Sequence, residues 1–518
     1  MKKNIWEFLG IQPAKNPDIP ITFGDMNRLG ARTSQDAGQP PPVTIYEKMM
    51  DLCGIYGWLR DENLARIQDA IESHDIYDSE MWGSLIEKRS HDDYDPSMLE
   101  AGLGTLLVDV SASYLFDRGL DFECTNEKVT DEIDTERQRA LYDLYEENNM
   151  DVVLQESAVT SGIEGDVFFE LWKPDGENQL VIIPHAGVEV FPIYYFRGGA
   201  NSRRMPMCHI CYEIEYSGAE AAVWKQTYWL DGGECYVSTQ IWDLGGKPNE
   251  MRFIEEVRAP EKNGLPFIPI YHIRNKGKLN KYFGFSDYHA AKEILVELDK
   301  AMSDLADARA FNAFPTKVLK GPGLQDAQNS FKLGPNRVWY LGADTQADAK
   351  MLSVTSDFYA AMQKNIDILR DILLEVMETP PVALGHTENL RDTSGVALEV
   401  LFSRIASKTT RKRKYWEVLR HMNSDALQMM EIYNLGNFDG VYQNKLIWGD
   451  ILPRSMERDV NTMVQAVAGK LMAPSSAMDY IGIEDPVEEQ RKIKKERMNE
   501  SPYGSETARP LDEDTEED

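Results

Sequence analysis

The pattern of apolar positions predicts a largely helical second half of the chain. Ser286, a helix-capping residue type, precedes a stretch to about residue 312 whose apolar residues keep helical spacing: Leu295, Leu298, Met302 and Leu305. A second such stretch, 357–378, ends at Pro380-Pro381. A third, from about residue 393 to 434, predicts one helix roughly 60 Å long.

Alternating apolar and polar residues predict an antiparallel β-region between residues 160 and 275. Turn sequences interrupt it at Pro174-Asp175-Gly176 and Asp231-Gly232-Gly233. Residues 1–45 are rich in Pro, Asn and Gly, which is typical of an extended arm. Together with the helices, this β-region predicts an α+β fold.

Composition narrows the classes of function. The 518 residues include 86 acidic and 55 basic side chains, which gives a net charge of −31. A chain this acidic is a poor general binder of phosphate backbones, because that affinity comes from Lys and Arg. No apolar run approaches roughly 18 residues, so we expect no membrane span.

Motifs that would indicate catalysis or metal binding are weak. The sequence has no P-loop, HExxH or GxSxG motif. Cys208-His209-Ile210-Cys211 offers a metal or thiol pair, but strand alternation places the two cysteines on opposite faces, which favours buried, unligated thiols. The Asp92, Asp93 and Asp95 carboxylates are interpreted as a solvated turn rather than a cation site. We therefore predict no metal site and no cofactor.

The segment 408–414, sequence KTTRKRK, is the strongest positive patch. It could contact phosphates. The interpretation we favour is a solvated helix face that pairs with acids of neighbouring subunits, because its five charges wrap around the helix and form no stripe.

The order of these elements resembles the portal proteins of tailed bacteriophages over about residues 95–500. The matching segments are 107–116 with Gly119, 165–170 with Ile183-Pro184, 284–287, 318–321, 393–399, 447–453 and 491–496. The resemblance implies a portal fold, with a mixed α/β wing, a two-helix stem, a small α/β clip, a long helix and a helical crown.

The resemblance also implies domain boundaries. They are an N-terminal arm 1–45, a wing 46–285, a first stem helix 286–312, a clip 313–356, a second stem helix 357–379, a tunnel loop 380–392, a long helix 393–434, a wing return strand 435–455, a crown 456–500 and an acidic tail 501–518.

The function that the resemblance implies is structural and not enzymatic. Portals form a ring of twelve subunits at one capsid vertex, through which double-stranded DNA is packaged and ejected. The expected partners are the terminase large subunit, head-to-tail adaptor proteins, and the major capsid and scaffolding proteins. The expected location is the virion, and the host cytoplasm during assembly.

Three groups of candidate site residues follow from the resemblance. The tunnel loop comprises Leu384, Gly385, His386, Thr387 and Asn389, although the same segment also suits an ordinary helix–helix connection. An acidic channel wall comprises Glu293, Glu297, Asp304, Asp367, Asp371 and Glu375. A partner-docking clip surface comprises Lys317, Lys320, Lys332 and Arg337.

Assembly should depend on the apolar stripes of the two stem helices. We expect Leu298 and Leu369 to be buried between neighbouring subunits. Two alternatives remain open. One is a metal-dependent hydrolase that uses the acidic clusters, and the other is a nucleic-acid-binding protein that uses 408–414 without forming a ring.

Overall fold

A computed structural model of the protein describes residues 61–495 with gaps. The gaps are 91–94, 117–118, 125–134, 195–204, 217–221, 244–251, 280, 314–315, 321–347, 353–355, 386–394, 452–455 and 484–488. The predicted N-terminal arm, the acidic tail and most of the predicted clip lie outside the described residues.

Helices dominate both ends of the described chain. They are α1 (Asp61–Tyr77), α2 (Leu103–Phe116), α3 (Thr135–Glu147), α4 (Met150–Glu164), α5 (Lys292–Ala313), α6 (Ser356–Val376), α7 (Gly395–Trp416), α8 (Val418–Ile432), α9 (Met456–Ala468) and α10 (Pro474–Tyr480). None of these helices is both long and apolar enough to cross a bilayer.

The predicted β-region forms two antiparallel sheets. The strands are β2 (Asp166–Trp172), β3 (Val181–Ala186), β4 (Val190–Ile193), β5 (Met207–Ile214), β6 (Ala222–Asp231), β7 (Glu234–Asp243), β8 (Arg252–Lys262) and β9 (Ile270–Arg274). One sheet has the order β3-β2-β9 and the other β4-β5-β6-β7-β8. The β6–β7 loop is Gly232-Gly233, with φ 62° and 87°, values that glycine adopts without a Cβ clash.

Two short strand pairs complete the described sheets. Strand β1 (Leu120–Glu123) pairs with β12 (Lys445–Trp448), so the predicted return strand is shorter than expected. Strands β10 (Thr316–Lys320) and β11 (Asp348–Leu352) form an antiparallel pair between α5 and α6. The structure thus confirms the α+β fold class.

The two predicted stem helices form an antiparallel hairpin. Ser286 caps a single 3₁₀ turn, Asp287–Ala290, by accepting a hydrogen bond from the Tyr288 amide, and α5 follows that turn. The start of α6 lies against the end of α5, since Tyr359 Oη donates to Ala308 O at 2.7 Å. At the other end, Leu373 and Leu374 of α6 share a buried cluster with Leu295 of α5.

The single helix predicted for 393–434 is wrong in one respect. Two helices, α7 and α8, occupy this range, and Glu417 separates them. Glu417 keeps helical angles, φ −56° and ψ −11°, so the interruption is local. Its side chain instead accepts a hydrogen bond from Trp448 Nε1 at 3.1 Å, which ties the junction to β12.

Two buried clusters hold the described fold. The larger joins the three-stranded sheet to α3 and α8, with Phe168, Tyr271 and Trp416 among its fully buried members. The smaller joins α2 to the α5–α6 hairpin around Tyr288 and Leu298. By their contacts the described residues up to 385 and 400–451 form one compact unit, and those of 395–399 and 456–495 form another.

Candidate functional site

The hairpin begins where Gly165 and Gly284, 119 residues apart in the sequence, meet backbone to backbone. A Cβ on Gly284 would lie 2.1 Å from Gly165 O, which no side chain could tolerate. Asp166 Oδ1 accepts a hydrogen bond from the Gly284 amide at 2.8 Å, and Gly165 O accepts one from the Asn275 amide at 2.8 Å. These glycines therefore set how closely the start of α5 approaches the α4–β2 corner.

Asp287 lies at this foot of the hairpin and is fully buried. Its Oδ1 accepts hydrogen bonds from Asn275 Nδ2 and Lys276 Nζ, both at 3.0 Å. Its Oδ2 lies 2.7 Å from Lys412 Nζ and 3.6 Å from Lys408 Nζ. Burial alone would raise the pKa of Asp287, but the three lysines hold that pKa well below its usual range.

The expectation that 408–414 is a solvated, partner-facing run is wrong for two of its residues. Lys408 and Lys412 are 1% and 3% exposed and bind groups of their own chain. Arg411 and Lys414 are exposed as expected, and Arg411 pairs with Glu378. A basic run that wraps a helix must turn some charges inward when one face of that helix is buried.

The six proposed wall acids lie on the outside of the hairpin. Glu293, Glu297 and Asp304 are exposed on one face of α5, opposite its buried stripe. On α6, Asp371 and Glu375 are exposed and Asp367 is half-exposed, at four-residue spacing. Asp304 lies 2.7 Å from Arg89 Nη1, so its charge is partly offset within the chain. These positions leave two acidic rows on the hairpin surface.

Other acids of α5 face inward and hold a neighbouring segment, residues 97–101, here called the strap. Every second strap amide donates to a side chain of α5, and each successive acceptor lies one helical turn nearer to the start of that helix. The bonds run from Ser97 N to Asp307 Oδ1 (2.7 Å), Leu99 N to Ser303 Oγ (2.9 Å) and Ala101 N to Asp299 Oδ1 (3.1 Å). Asp299 and Asp307 are therefore structural acceptors.

The expected burial of Leu298 between subunits is wrong. Leu298 is 1% exposed within its own chain, and Leu369 packs against the same cluster. Apolar exposure occurs instead on the neighbouring face of α6, where Ile368 and Ile372 are 46% and 43% exposed. This face lies between the buried stripe and the acidic row, and one copy of the chain leaves it uncovered.

The segment after α6 begins as a 3₁₀ turn, Pro381–Leu384, and not as an open loop. Leu384 is half-buried and packs against the smaller cluster. Gly385 follows with φ 84°, a left-handed conformation that favours glycine. His386, Thr387 and Asn389 lie outside the described residues.

The proposed clip residues are placed only in part. Lys317 and Lys320 belong to β10, which pairs with β11. Lys332 and Arg337 lie outside the described residues. The docking role of this surface stays a prediction.

The two cysteines weighed for metal or thiol chemistry are buried, whereas Asp95 is exposed and Asp92 and Asp93 lie outside the described residues. Cys208 and Cys211 lie on β5, and both are buried free thiols whose pKa values burial raises, Cys211 to about 12. Within the described ranges, no three His, Cys, Asp or Glu side chains are grouped to hold a metal ion.

A cleft of about 590 Å³ is lined by Glu170 and His185, which are hydrogen-bonded to each other as a general acid–base pair would be. Burial disfavours the charged imidazole, but the hydrogen bonds and charges of Glu170 and Glu189 together outweigh it and raise the pKa of His185 to about 9. Glu170 also accepts from Gln226 and Tyr228. Both oxygens of this carboxylate are thus engaged by the chain itself.

Sequence reasoning missed the role of Lys408 and Lys412, yet the pattern held a signal. Ile405, Thr409 and Trp416 mark the buried face of α7, and both lysines fall on that face at helical spacing. A lysine flanked by buried positions one turn away on either side must find an internal partner.

Comparisons with known proteins add to this geometry. The family model described as "Phage portal protein, SPP1 Gp6-like" matches residues 57–503. No protein with a curated description matches the chain.

Two solved structures match at 12% identity. One, titled "Neck of empty GTA particle computed with C6 symmetry", covers 80% of this chain and 94% of its own at a TM-score of 0.42. The other, titled "Virion of native gene transfer agent (GTA) particle", covers 85% and 100% at a TM-score of 0.41. At this sequence identity and these TM-scores, the two structures carry no argument about function.

Proposed function

Because the chain belongs to the SPP1 Gp6-like family of phage portal proteins, we propose that it forms a twelve-subunit ring at one capsid vertex. The ring is the channel through which double-stranded DNA enters and leaves the capsid. The observation that carries the proposal is the family match over residues 57–503, which includes both the wing and the hairpin. The role is structural and requires no cofactor.

The outer surface of the hairpin supports a channel role. Glu293 and Glu297 on α5, and Asp371 and Glu375 on α6, have no ion pair within the described residues. A wall of such carboxylates repels phosphates over a screening distance of about 8–10 Å. DNA near this wall meets no deep binding minimum and is free to slide. We assign Asp304 and Asp367 to the same wall, with weaker contributions because each lies near an arginine.

The uncovered face of α6 supports ring formation. Ile368 and Ile372 would be buried by a neighbouring copy, which would remove apolar area from water. The mass of the assembly tests the proposal. Native mass spectrometry or negative-stain images should show rings of about twelve copies of a 59.0 kDa chain. A monomer or dimer at assembly concentrations would contradict it.

The segment from Gly385 to Asn389 is proposed to contact the passing duplex. Gly385, His386, Thr387 and Asn389 can hydrogen-bond to phosphates without a fixed positive charge, since His386 is the only residue of the segment that can become positively charged. Leu384 is left out of this contact, because it packs inside the hairpin cluster.

Replacing His386, Thr387 and Asn389 by alanine removes their hydrogen-bonding groups, and it should leave rings intact but impair DNA filling or retention in an in vitro packaging assay. Normal filling and retention would show that this segment does not touch DNA and serves only as a helix connection.

Partner docking is proposed for the opposite end of the hairpin. Lys317, Lys320, Lys332 and Arg337 would bind acidic surfaces of the terminase large subunit or of head-to-tail adaptor proteins. The same ring would contact the major capsid and scaffolding proteins in the virion, and assemble in the host cytoplasm. Charge reversal at the four residues should weaken terminase capture and its dependence on salt; unchanged capture would place docking elsewhere.

A further inference from the structure

One face of α7 contacts both helices of the stem hairpin at its foot, where α5 starts and α6 ends. Lys408 and Lys412 are four residues apart, so their side chains leave the same side of the helix one turn apart. Both are buried, and each binds a different helix of the hairpin. This juxtaposition joins three elements that are far apart in sequence.

Lys412 holds the start of α5. Its Nζ donates to Asp287 Oδ2 at 2.7 Å, and Asp287 opens the 3₁₀ turn that leads into α5. The carboxylate packs over Gly162 of α4, where a Cβ would come within 3.7 Å of Oδ2. The start of α5 is therefore fixed to α7 by a buried, charge-assisted hydrogen bond.

Lys408 holds the α6 end. Its Nζ donates to Met377 O at 3.1 Å, and Met377 is the first residue after α6. A cation at a helix C-terminus is favoured by the helix dipole and by the carbonyls left without helical partners. The chain then turns sharply, since Glu378 has φ 54° and Pro380-Pro381 follow. Lys408 thus fixes the point from which the 381–385 turn departs.

The cluster has more positive than negative charge. Lys276, Lys408 and Lys412 surround the single carboxylate of Asp287, and burial lowers the pKa of Lys408 to about 7. Glu378 lies nearby but pairs with Arg411 at the surface. Because Asp287 is shared among three cations, loss of any one contact leaves the others with a changed electrostatic balance.

We propose that Lys408 and Lys412 are positioning residues that clamp the foot of the stem hairpin to α7, Lys408 acting on the end of α6 and Lys412 on the start of α5. The clamp fixes where the turn after α6 starts. Its consequence for DNA rests on the proposed function, in which the segment beyond Gly385 contacts the duplex.

Hydrogen exchange on the full-length assembled chain tests whether Lys408 and Lys412 stabilise different segments. In Lys408→Met, we expect the exchange rate of the Glu378, Thr379 and Ala383 amides to rise about tenfold or more. The reason is that local opening of this segment then no longer requires the Lys408–Met377 hydrogen bond to break. In Lys412→Met, the same rise should occur at the Phe285, His289 and Ala291 amides instead.

Matched controls come from the same helix. Lys414→Met removes an exposed lysine, and Arg411→Met removes the exposed partner of Glu378. The Lys414 variant should leave both patterns unchanged, and the Arg411 variant should affect exchange by far less than Lys408→Met. Uniform acceleration across the hairpin in both lysine variants, or acceleration in neither, would overturn the clamp.

Milder variants serve as the test if the chain does not fold once a buried lysine is replaced by methionine. Lys412→Gln keeps a hydrogen-bond donor for Asp287 and should fold closer to wild type than Lys412→Met, because the carboxylate also remains paired with Lys276 and Lys408. In this variant the amides at the start of α5 should still exchange faster. Lys408→Gln should give the α6-end pattern of Lys408→Met; an unchanged α6 end in that folded variant would refute the assignment.

A packaging readout separates this inference from the proposed function. Particles with Lys408→Met rings should lose packaged DNA faster than those with Lys414→Met rings. If exchange at the α6 end changes while DNA retention does not, the clamp stands and the DNA contact of the loop fails. If exchange does not change, the clamp fails whatever happens to DNA.

Discussion

At the residue scale, the acids of α5 and of the 3₁₀ turn before it have three distinct roles despite the same carboxylate chemistry. Glu293 and Glu297 are exposed. Asp287 is buried among lysines, which keep it ionised. Asp299 is buried without a cationic partner, and burial raises its pKa to about 6 despite the hydrogen bond from the Ala101 amide. Position on the helix, and not residue type, decides which role each acid takes.

Asp299 provides a test by pH. Its folded pKa is raised, so its contribution to stability is complete below about pH 4 and is lost as pH rises through about 6. Asp299→Asn keeps an oxygen acceptor for the Ala101 amide but cannot ionise. The Tm of the variant relative to wild type should therefore be higher at about pH 7.5 than at about pH 4.5.

Differential scanning fluorimetry at the two pH values measures this difference. Asp304→Asn, at an exposed site, is the control and should show little pH-dependent change relative to wild type. A Tm difference for Asp299→Asn that is the same at both pH values would contradict the assignment.

At the element scale, the start of α5 depends on close backbone contact. Gly284 meets Gly165 O, and the Gly284 amide is bound by Asp166. The same corner carries Ser286, whose Oγ donates to Gly162 O at 3.2 Å. Two sequence segments that resemble portal motifs thus form one structural joint.

Gly284→Ala tests that joint. The added methyl group would overlap the Gly165 carbonyl, so we expect a loss of about 1–3 kcal/mol in the free energy of unfolding, with the smaller value if the backbone shifts. Gly469→Ala is the control, because its Cβ meets nothing closer than 3.2 Å. Chemical denaturation followed by circular dichroism measures both. Equal effects of the two substitutions would show that the close approach is unimportant.

Several elements were predictable because their signal is local. The α6 stripe, the Pro380-Pro381 stop and the Gly232-Gly233 turn each follow from neighbouring residues, and the structure has them. The outward row of acids on α5 also follows from helical spacing, although its place in a channel is untested. The buried positions of α7 indicate that Lys408 and Lys412 turn inward, but their partner Asp287 lies 121 residues or more away, and no local pattern identifies it. The strap was missed for the same reason.

At the scale of the whole molecule, one subunit leaves surface that suits a second copy. The exposed Ile368 and Ile372 lie beside the acidic row of α6, so a neighbour that covers them would leave the carboxylates open to solvent. Val400 on α7 is also exposed, at 67%. Apolar faces with an acidic margin are compatible with a closed ring whose inner surface stays charged.

Ile368→Asp combined with Ile372→Asp should abolish rings and leave a folded subunit, because both side chains are already in water in one copy. Leu298→Asp should instead destabilise the subunit itself, by about 3 kcal/mol or more, since it places a charge in the core. Size-exclusion chromatography with light scattering and circular dichroism distinguishes the two results. Intact rings in the double variant would move the interface to another face.

The strap also fixes the position of α5 along its own axis. Two residues of extended chain advance about 6.6 Å, and four residues of α-helix advance about 6 Å. The spacing of the strap amides therefore nearly matches the spacing of the α5 acceptors. All three hydrogen bonds form together at one axial position of α5 relative to the strap. A shift of one helical turn would leave at least one strap amide without an acceptor, because Leu295 and Phe311 stand one turn beyond Asp299 and Asp307. The three bonds together therefore select a single axial register of α5 against the strap.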